Sequence, residues 1–253
     1  MSDRHVEILG VRVARMGREA ALQACESRHE AGQGGYVCFA NVHTVTHSAS
    51  EPALQSALAG AFLAVADGVP LLWASRLKGQ AIESRVSGPD FMSELLRRKP
   101  SWRHGFVGGA PGQAEALAAR FSLEDAACEC PPLREFSSAN ARGDWTRLLE
   151  RAGGRAPDVV WVGLGAPKQE KWMAEISPLA PGTLFFGVGA AFDFLTGTKA
   201  RAPVWMQRSG LEWCFRLAQE PRRLWQRYLT TNSRFVARLA LELARESVNK
   251  RRA

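Results

Sequence analysis

Five short apolar runs, at residues 36–39, 62–66, 104–107, 158–162 and 183–188, recur through the first 196 positions and are mostly bounded by Gly, Asp or Pro. Runs this short, apolar with little alternation, predict strands buried on both faces. Between them, residues 51–60, 89–98, 113–121, 145–152 and 167–176 place apolar side chains three and four apart among Ala, Leu and Glu, which predicts helices. Strands alternating with helices predict an α/β fold, a mostly parallel sheet covered by helices on both faces. Such sheets bind ligands at the C-terminal ends of their strands, so the loops after each apolar run are the places to look for function.

After Gly197 the pattern changes to Trp, Arg and Leu at helical spacing, with Pro203 and Pro221 each standing where a helix can begin. Two or three amphipathic helices are expected there, dividing the chain into a core, 1–197, and a helical appendage, 198–253. Charge follows the same division. The net charge is +8, yet from Gly197 onward 13 Lys and Arg stand against 4 Asp and Glu, which leaves the core near neutral. Such a basic block reads as a solvated helix face, an anionic lipid surface or nucleic acid. With 46% hydrophobic and 23% charged residues, neither disorder nor a disulfide-built miniature fold is expected. The five scattered cysteines, without a CxxC pair, fit a reducing cytoplasm. No stretch approaches the roughly 20 apolar residues of a membrane span.

Two glycine-bearing loops follow predicted strands and lead into predicted helices: Val107-Gly108-Gly109-Ala110-Pro111-Gly112 and Val162-Gly163-Leu164-Gly165-Ala166-Pro167-Lys168-Gln169-Glu170. Glycine allows close backbone approach and a helix start attracts phosphate, so the pair can grip a diphosphate; a tight turn asks for the same glycines. The polar triplet Lys168, Gln169 and Glu170 tips the second loop towards function. Neither loop is a P-loop or a GxGxxG fingerprint. Asp67 directly follows the 62–66 run and reads either as a general base or as a turn-forming residue. Asn41 reads as a sugar or base ligand, or as a turn residue. His43 and His47, four apart, lack a third metal ligand, and no DxD-type acidic pair is present, so no metal site is expected. In the tail Arg201, Arg216, Arg222, Arg223 and Arg227 alternate with Trp205, Trp213, Trp225 and Tyr228. Guanidinium forks suit phosphates and Trp suits a membrane–water interface; the competing reading is a helical hairpin with a Trp core.

Taken in order, Asn41, Ala66-Asp67-Gly68, Arg85-Val86-Ser87-Gly88-Pro89-Asp90, the two glycine loops, Gly187-Val188-Gly189-Ala190-Ala191-Phe192-Asp193 and the segment from Arg201 to Tyr228 resemble the WecG/TagA/CpsF glycosyltransferases, family 26. The resemblance runs from about Asn41 to Phe235. It implies a Rossmann-like core and an inverting, metal-independent, cofactor-free transfer from a UDP-sugar donor, often UDP-N-acetylmannosamine, to a polyprenyl-diphosphate-linked acceptor. The expected location is the inner face of the cell membrane, on an anionic surface, with self-association through the core. Asp67 falls on the family's proposed base; Asn41, Arg85 and Gln169 fall on its polar site positions; Arg216 and Arg223 fall on arginines thought to hold the lipid diphosphate. The expected donor contacts are therefore Asn41, Arg85, Gly108, Gly109, Gly163, Gly165, Pro167, Lys168, Gln169 and Glu170, and the expected lipid-diphosphate contacts are Arg201, Arg216, Arg222, Arg223 and Arg227. One departure is Phe39, where family members often carry Thr; with a family glucosyltransferase of exopolysaccharide assembly also known, UDP-glucose stays open.

Two other classes remain for comparison. A dinucleotide-dependent oxidoreductase suits the fold pattern but lacks the GxGxxG turn. A nucleic-acid binder would use the tail alone and leaves Asp67 and both glycine loops without a role, so nucleic acid is not an expected partner.

Overall fold

The computed structural model describes residues 4–252, apart from the side chains of Arg223, Arg227 and residues 249–252. In chain order the elements are β1 His5–Ile8, β2 Val11–Ala14, α1 Arg18–Glu30, β3 Gly35–Ala40, α2 Val42–Ser48, α3 Pro52–Ala59, β4 Leu63–Ala66, α4 Val69–Leu77, α5 Gly88–Arg98, β5 His104–Gly108 and α6 Gln113–Arg120. They continue with β6 Ala126–Glu129, α7 Ser138–Arg151, β7 Val159–Gly163, α8 Lys168–Ile176, β8 Leu184–Gly187, α9 Ala191–Thr196, α10 Val204–Arg208, α11 Glu212–Gln219 and α12 Pro221–Arg252.

All five predicted strands belong to one six-stranded parallel sheet, ordered β4-β3-β8-β7-β5-β6. Their side chains explain the apolar runs. Along β3, Val37 and Phe39 enter one hydrophobic cluster while Cys38 and Ala40 enter the other, so both faces of the strand are buried. The same division splits Val160 and Val162 from Val159 and Trp161 on β7, and Phe185 from Leu184 and Phe186 on β8. This order seats β3, the first strand of the sheet, beside β8, the last. From β3 the chain steps out to β4, crosses to β5 and the β6 edge, and returns through β7 to β8. Successive connections therefore diverge between β5 and β7, where such sheets form a ligand crevice over the strand C-termini.

Three features escape the sequence pattern. β1 and β2 form an antiparallel hairpin closed by Leu9 and Gly10, both at positive φ (50° and 80°), a two-residue turn of the hand that twisted hairpins favour. β6 is a four-residue edge strand with partly exposed positions, too short and mixed to register as a buried run. Helices α1, α2 and α4 also lie outside the predicted segments, and α7 begins seven residues earlier than the predicted helix at 145.

The tail contains three helices among the described residues, with Pro203 capping α10 and Pro221 opening α12. The far half of α12 is bound to the core. Phe235 and Leu239 are buried in the same cluster as Val6, Ile8, Val11 and Val13 of the hairpin. Glu242 accepts the Leu9 N–H at 3.0 Å and the buried Lys78 ammonium at 2.6 Å, and Arg238 donates to the Thr46 carbonyl at 2.8 Å. Anchored there, and through Arg201 at its start, the tail carries α10 and α11 between two fixed points. No helix among the described residues is long and apolar enough to cross a membrane.

Candidate active site

Asn41 and Asp67 stand side by side because β3 and β4 pair in register up to Ala40 and Ala66, the residues immediately before them. The Asp67 N–H continues that ladder, donating to the Ala40 carbonyl at 2.7 Å. Asn41 caps α2: its Oδ1 accepts from the N–H groups of His43 and Thr44, and Thr44 Oγ1 accepts the Asn41 N–H at 2.9 Å. The turn role foreseen as an alternative is thus occupied, and it uses only the carbonyl end of the amide. Arg85 reaches the same corner because Val86 N–H donates to the Ala66 carbonyl at 2.8 Å, laying this segment along the end of β4.

Burial pushes the Asp67 carboxyl up to about 6; Arg85 opposes that rise, Glu212 adds to it, and Arg216 and Arg201 pull it down. Charges from the core and from the tail therefore act on one carboxylate. Arg85 pairs with Glu212 of α11 at 2.8 Å, and Glu212 also lies 3.5 Å from Arg216. Arg201 grips Asp90, with Nη2 2.9 Å from Oδ2 and 3.0 Å from the Ser87 hydroxyl. Arg216 also lies over the Phe194 ring at 5.0 Å. Arg222 is exposed at the start of α12, while the Arg223 and Arg227 side chains lie outside the described residues.

The glycine loops meet each other. β5 and β7 pair up to Gly108 and Gly163, and a Cβ on Gly108 would stand 2.8 Å from the Gly163 carbonyl. A Cβ on Gly109 would strike Phe192 at 2.7 Å, and one on Gly163 would crowd the same ring at 3.2 Å. Packing thus accounts for these three glycines. Gly165 differs: its φ of +77° demands glycine, and nothing lies within 4 Å of where its Cβ would stand, so the loop there is open.

Beyond the cis Ala166–Pro167 bond, Lys168 donates to the Arg134 carbonyl at 2.6 Å. Gln169 is buried with its amino group donating to the Gly187 carbonyl at 2.7 Å and to Glu170 Oε1 at 3.0 Å. The Gly187 carbonyl can only accept, so the amide faces it with its nitrogen. Its oxygen, the atom nearest to where a Gly189 Cβ would stand, has no partner and is buried. Burial also pushes the Glu170 carboxyl up to about 7. From about pH 4.5 to 7 the unfolded chain ionises this group while the folded chain keeps the proton, so stability falls as pH rises through that window and levels off above it. Glu170→Gln removes the linkage. Its stability relative to the parent should improve from pH 5 to pH 8 by on the order of 2 kcal/mol, read by denaturant unfolding; a pH-independent difference would show that Glu170 ionises normally.

His43 and His47 do align on α2, their rings tilted at 58° with centroids 4.3 Å apart, and no group of three or more His, Cys, Asp and Glu among the described residues is arranged to hold a metal ion. Phe39 is a core residue, packed edge-on against Phe91 at 5.4 Å. Glu212, Gln207, Ser87 and Asp90 join the site through partners distant in sequence. A Glu in the first turn of an amphipathic helix looks like a favourable partner of the helix dipole, and nothing in the linear pattern tells that it faces Arg85, 127 positions away.

Comparison with known proteins bears on what this crevice does. A family model described as the glycosyl transferase WecG/TagA/CpsF family matches residues 6–249. A Bacillus subtilis protein named N-acetylglucosaminyldiphosphoundecaprenol N-acetyl-beta-D-mannosaminyltransferase is 31% identical over 188 residues, covering 73% of this chain and 69% of that one. A Bacillus spizizenii protein of the same name is 28% identical over 200 residues, covering 78% and 76%.

Proposed function

Since the chain belongs to the WecG/TagA/CpsF family and is a glycosyltransferase, we propose that it moves an N-acetylmannosamine-type sugar from a UDP donor to a sugar carried on polyprenyl diphosphate. The observation that supports this most is the convergence of Arg85 from the core and Glu212, Arg216 and Arg201 from the tail on the field of Asp67. A carboxylate at the end of a β-strand, within the electrostatic reach of three arginines, has a charge layout that suits glycosyl transfer.

In the proposed step Asp67 takes the proton of the acceptor hydroxyl as its oxygen attacks the anomeric carbon. The bond from that carbon to the donor's diphosphate breaks, and its electron pair leaves on UDP with inversion. A carboxyl near pH 6 is ionised at neutrality and still more basic than an ordinary Asp. Arg85 and Arg216 would offset the charge growing on the leaving diphosphate. The open backbone at Gly165, the start of α8 and Lys168 would face the donor phosphates, and the buried carbonyl of Gln169 would accept from a sugar hydroxyl or amide N–H.

The test is a donor screen with a short-chain polyprenyl-diphosphate-linked N-acetylglucosamine acceptor, reading UDP release. Turnover with UDP-N-acetylmannosamine is expected. Turnover with UDP-glucose alone would move the donor assignment to the glucosyltransferase reading, and none with any UDP-sugar would remove the donor class.

The tail supports a membrane-surface location. Trp205 and Trp225 are 63% and 50% exposed, which is the opposite of a helical hairpin closed on a Trp core. Half-exposed Trp beside Arg suits the headgroup region of an anionic leaflet, here the inner face of the cell membrane. Replacing both Trp205 and Trp225 by Ser should lower partition onto anionic phospholipid vesicles about tenfold at unchanged Tm, measured by vesicle sedimentation. Equal partition would remove these residues from membrane contact.

A further inference from the structure

The Arg85 guanidinium is largely buried, with its side chain 16% exposed, and its charge is balanced by a residue of the tail. Nη1 donates to Glu212 Oε2 at 2.8 Å, while Nη2 reaches Gln207 Oε1 at 3.4 Å. The other Glu212 oxygen lies 3.5 Å from Arg216 Nη2. One carboxylate thus bridges two guanidinium groups, one from the core and one from the tail. It does so within electrostatic reach of Asp67.

A buried guanidinium without a counter-charge is strongly unfavourable, so a protein that keeps Arg85 for a ligand needs an anion there when the ligand is absent. Glu212 supplies it, yet imperfectly. Arg216 Nε is buried without a hydrogen-bond partner, so the seat holds a donor that the two carboxylate oxygens do not serve. A diphosphate carries more negative charge than a carboxylate and more acceptor oxygens, tetrahedrally arranged, and can serve two guanidinium forks together.

We propose that Glu212 is an internal stand-in for a diphosphate group: its carboxylate fills the seat between Arg85 and Arg216 and leaves when a diphosphate binds there. This rests on the crevice being the transfer site and adds that a single anion seat is built jointly by core and tail. Arg85 stays neutralised before and after the exchange. The stand-in also sets a threshold, because an anion no more charged than a carboxylate gains nothing by displacing it. Orthophosphate, which carries less charge than pyrophosphate and offers a single tetrahedral group to two guanidinium forks, should bind far more weakly.

The experiment measures binding of inorganic pyrophosphate and orthophosphate to the full chain by calorimetry, without reference to turnover. Glu212→Gln keeps the shape and an acceptor oxygen but removes the competing charge. It should tighten pyrophosphate binding about tenfold or more and admit orthophosphate, and the gain should vanish when Arg216→Ala is added. Unchanged or weaker pyrophosphate binding by a folded Glu212→Gln protein would make Glu212 a structural pin and overturn the proposal. A second measurement uses the unaltered chain: a crystal grown with pyrophosphate should show the anion between Arg85 and Arg216 with Glu212 turned away. Glu212 still seated on Arg85 with the anion bound elsewhere would also overturn it. Parallel titrations with UDP and with farnesyl diphosphate distinguish donor from lipid, since the diphosphate that uses the seat is the one whose affinity responds to Glu212→Gln. If Asp67→Asn leaves turnover intact, the transfer reading fails while this seat is still judged by its binding data.

Discussion

Asp67→Asn should lower turnover by at least about a hundredfold while the donor dissociation constant stays within a few-fold of the parent. Asn keeps the size and hydrogen-bonding shape of the side chain but cannot take a proton. The pH profile adds a second reading of the same group. Burial raises the carboxyl to about 6, so the catalytically able, ionised form is lost as pH falls through that value. kcat/KM of the parent should therefore fall tenfold per pH unit well below pH 6, and the residual activity of Asp67→Asn should lack that limb. Retained turnover, or an acid limb unaltered in the Asn variant, would remove Asp67 from the role of base.

Ending the chain at Gly197 should abolish transfer and also lower stability by several kcal/mol. The first effect follows from losing Arg201, Glu212 and Arg216, whose charges act on Asp67. The second follows from the far half of α12: Phe235 and Leu239 fill the cluster that the hairpin and α4 also line, and Lys78 loses its carboxylate partners. Because instability alone can abolish activity, the site's share is read from Arg216→Ala in the intact chain. That variant should keep its Tm within about 2 °C, its guanidinium lying on the Phe194 ring and partly exposed, yet lose transfer by about tenfold or more. Undiminished transfer by the shortened chain would refute any role of the tail in the site.

Much of this fold was legible because parallel strands buried on both faces announce themselves as unbroken apolar runs. Residues 36–39 and 158–162 could be assigned from composition alone, and sheet topology then fixed where the loops had to gather. The hairpin was not legible, because its strands interleave the exposed Glu7 and Arg12 with apolar residues instead of forming an unbroken apolar run, and the turn residue Leu9 adopts positive φ without being Gly. In the site, Asp67 stood out by standing at a strand end. The glycines divided on inspection: Gly108, Gly109 and Gly163 answer to packing, and Gly165 alone among the four combines positive φ with open space. Glu212 could not be read at all, since its meaning lies in what it faces. The exposure of Trp205 and Trp225 was equally hidden, as a Trp at helical spacing reads the same whether it points in or out.

The 32 residues of α12 form one unbroken rod of about 48 Å. Its near end carries Trp225 and Leu229 outward and its far end is riveted to the hairpin and α2. On the membrane reading such a rod acts as a ruler, holding the crevice at a set height over the bilayer. The enzyme would then measure its acceptor as well as recognise it, favouring a sugar that sits at one particular remove from the lipid.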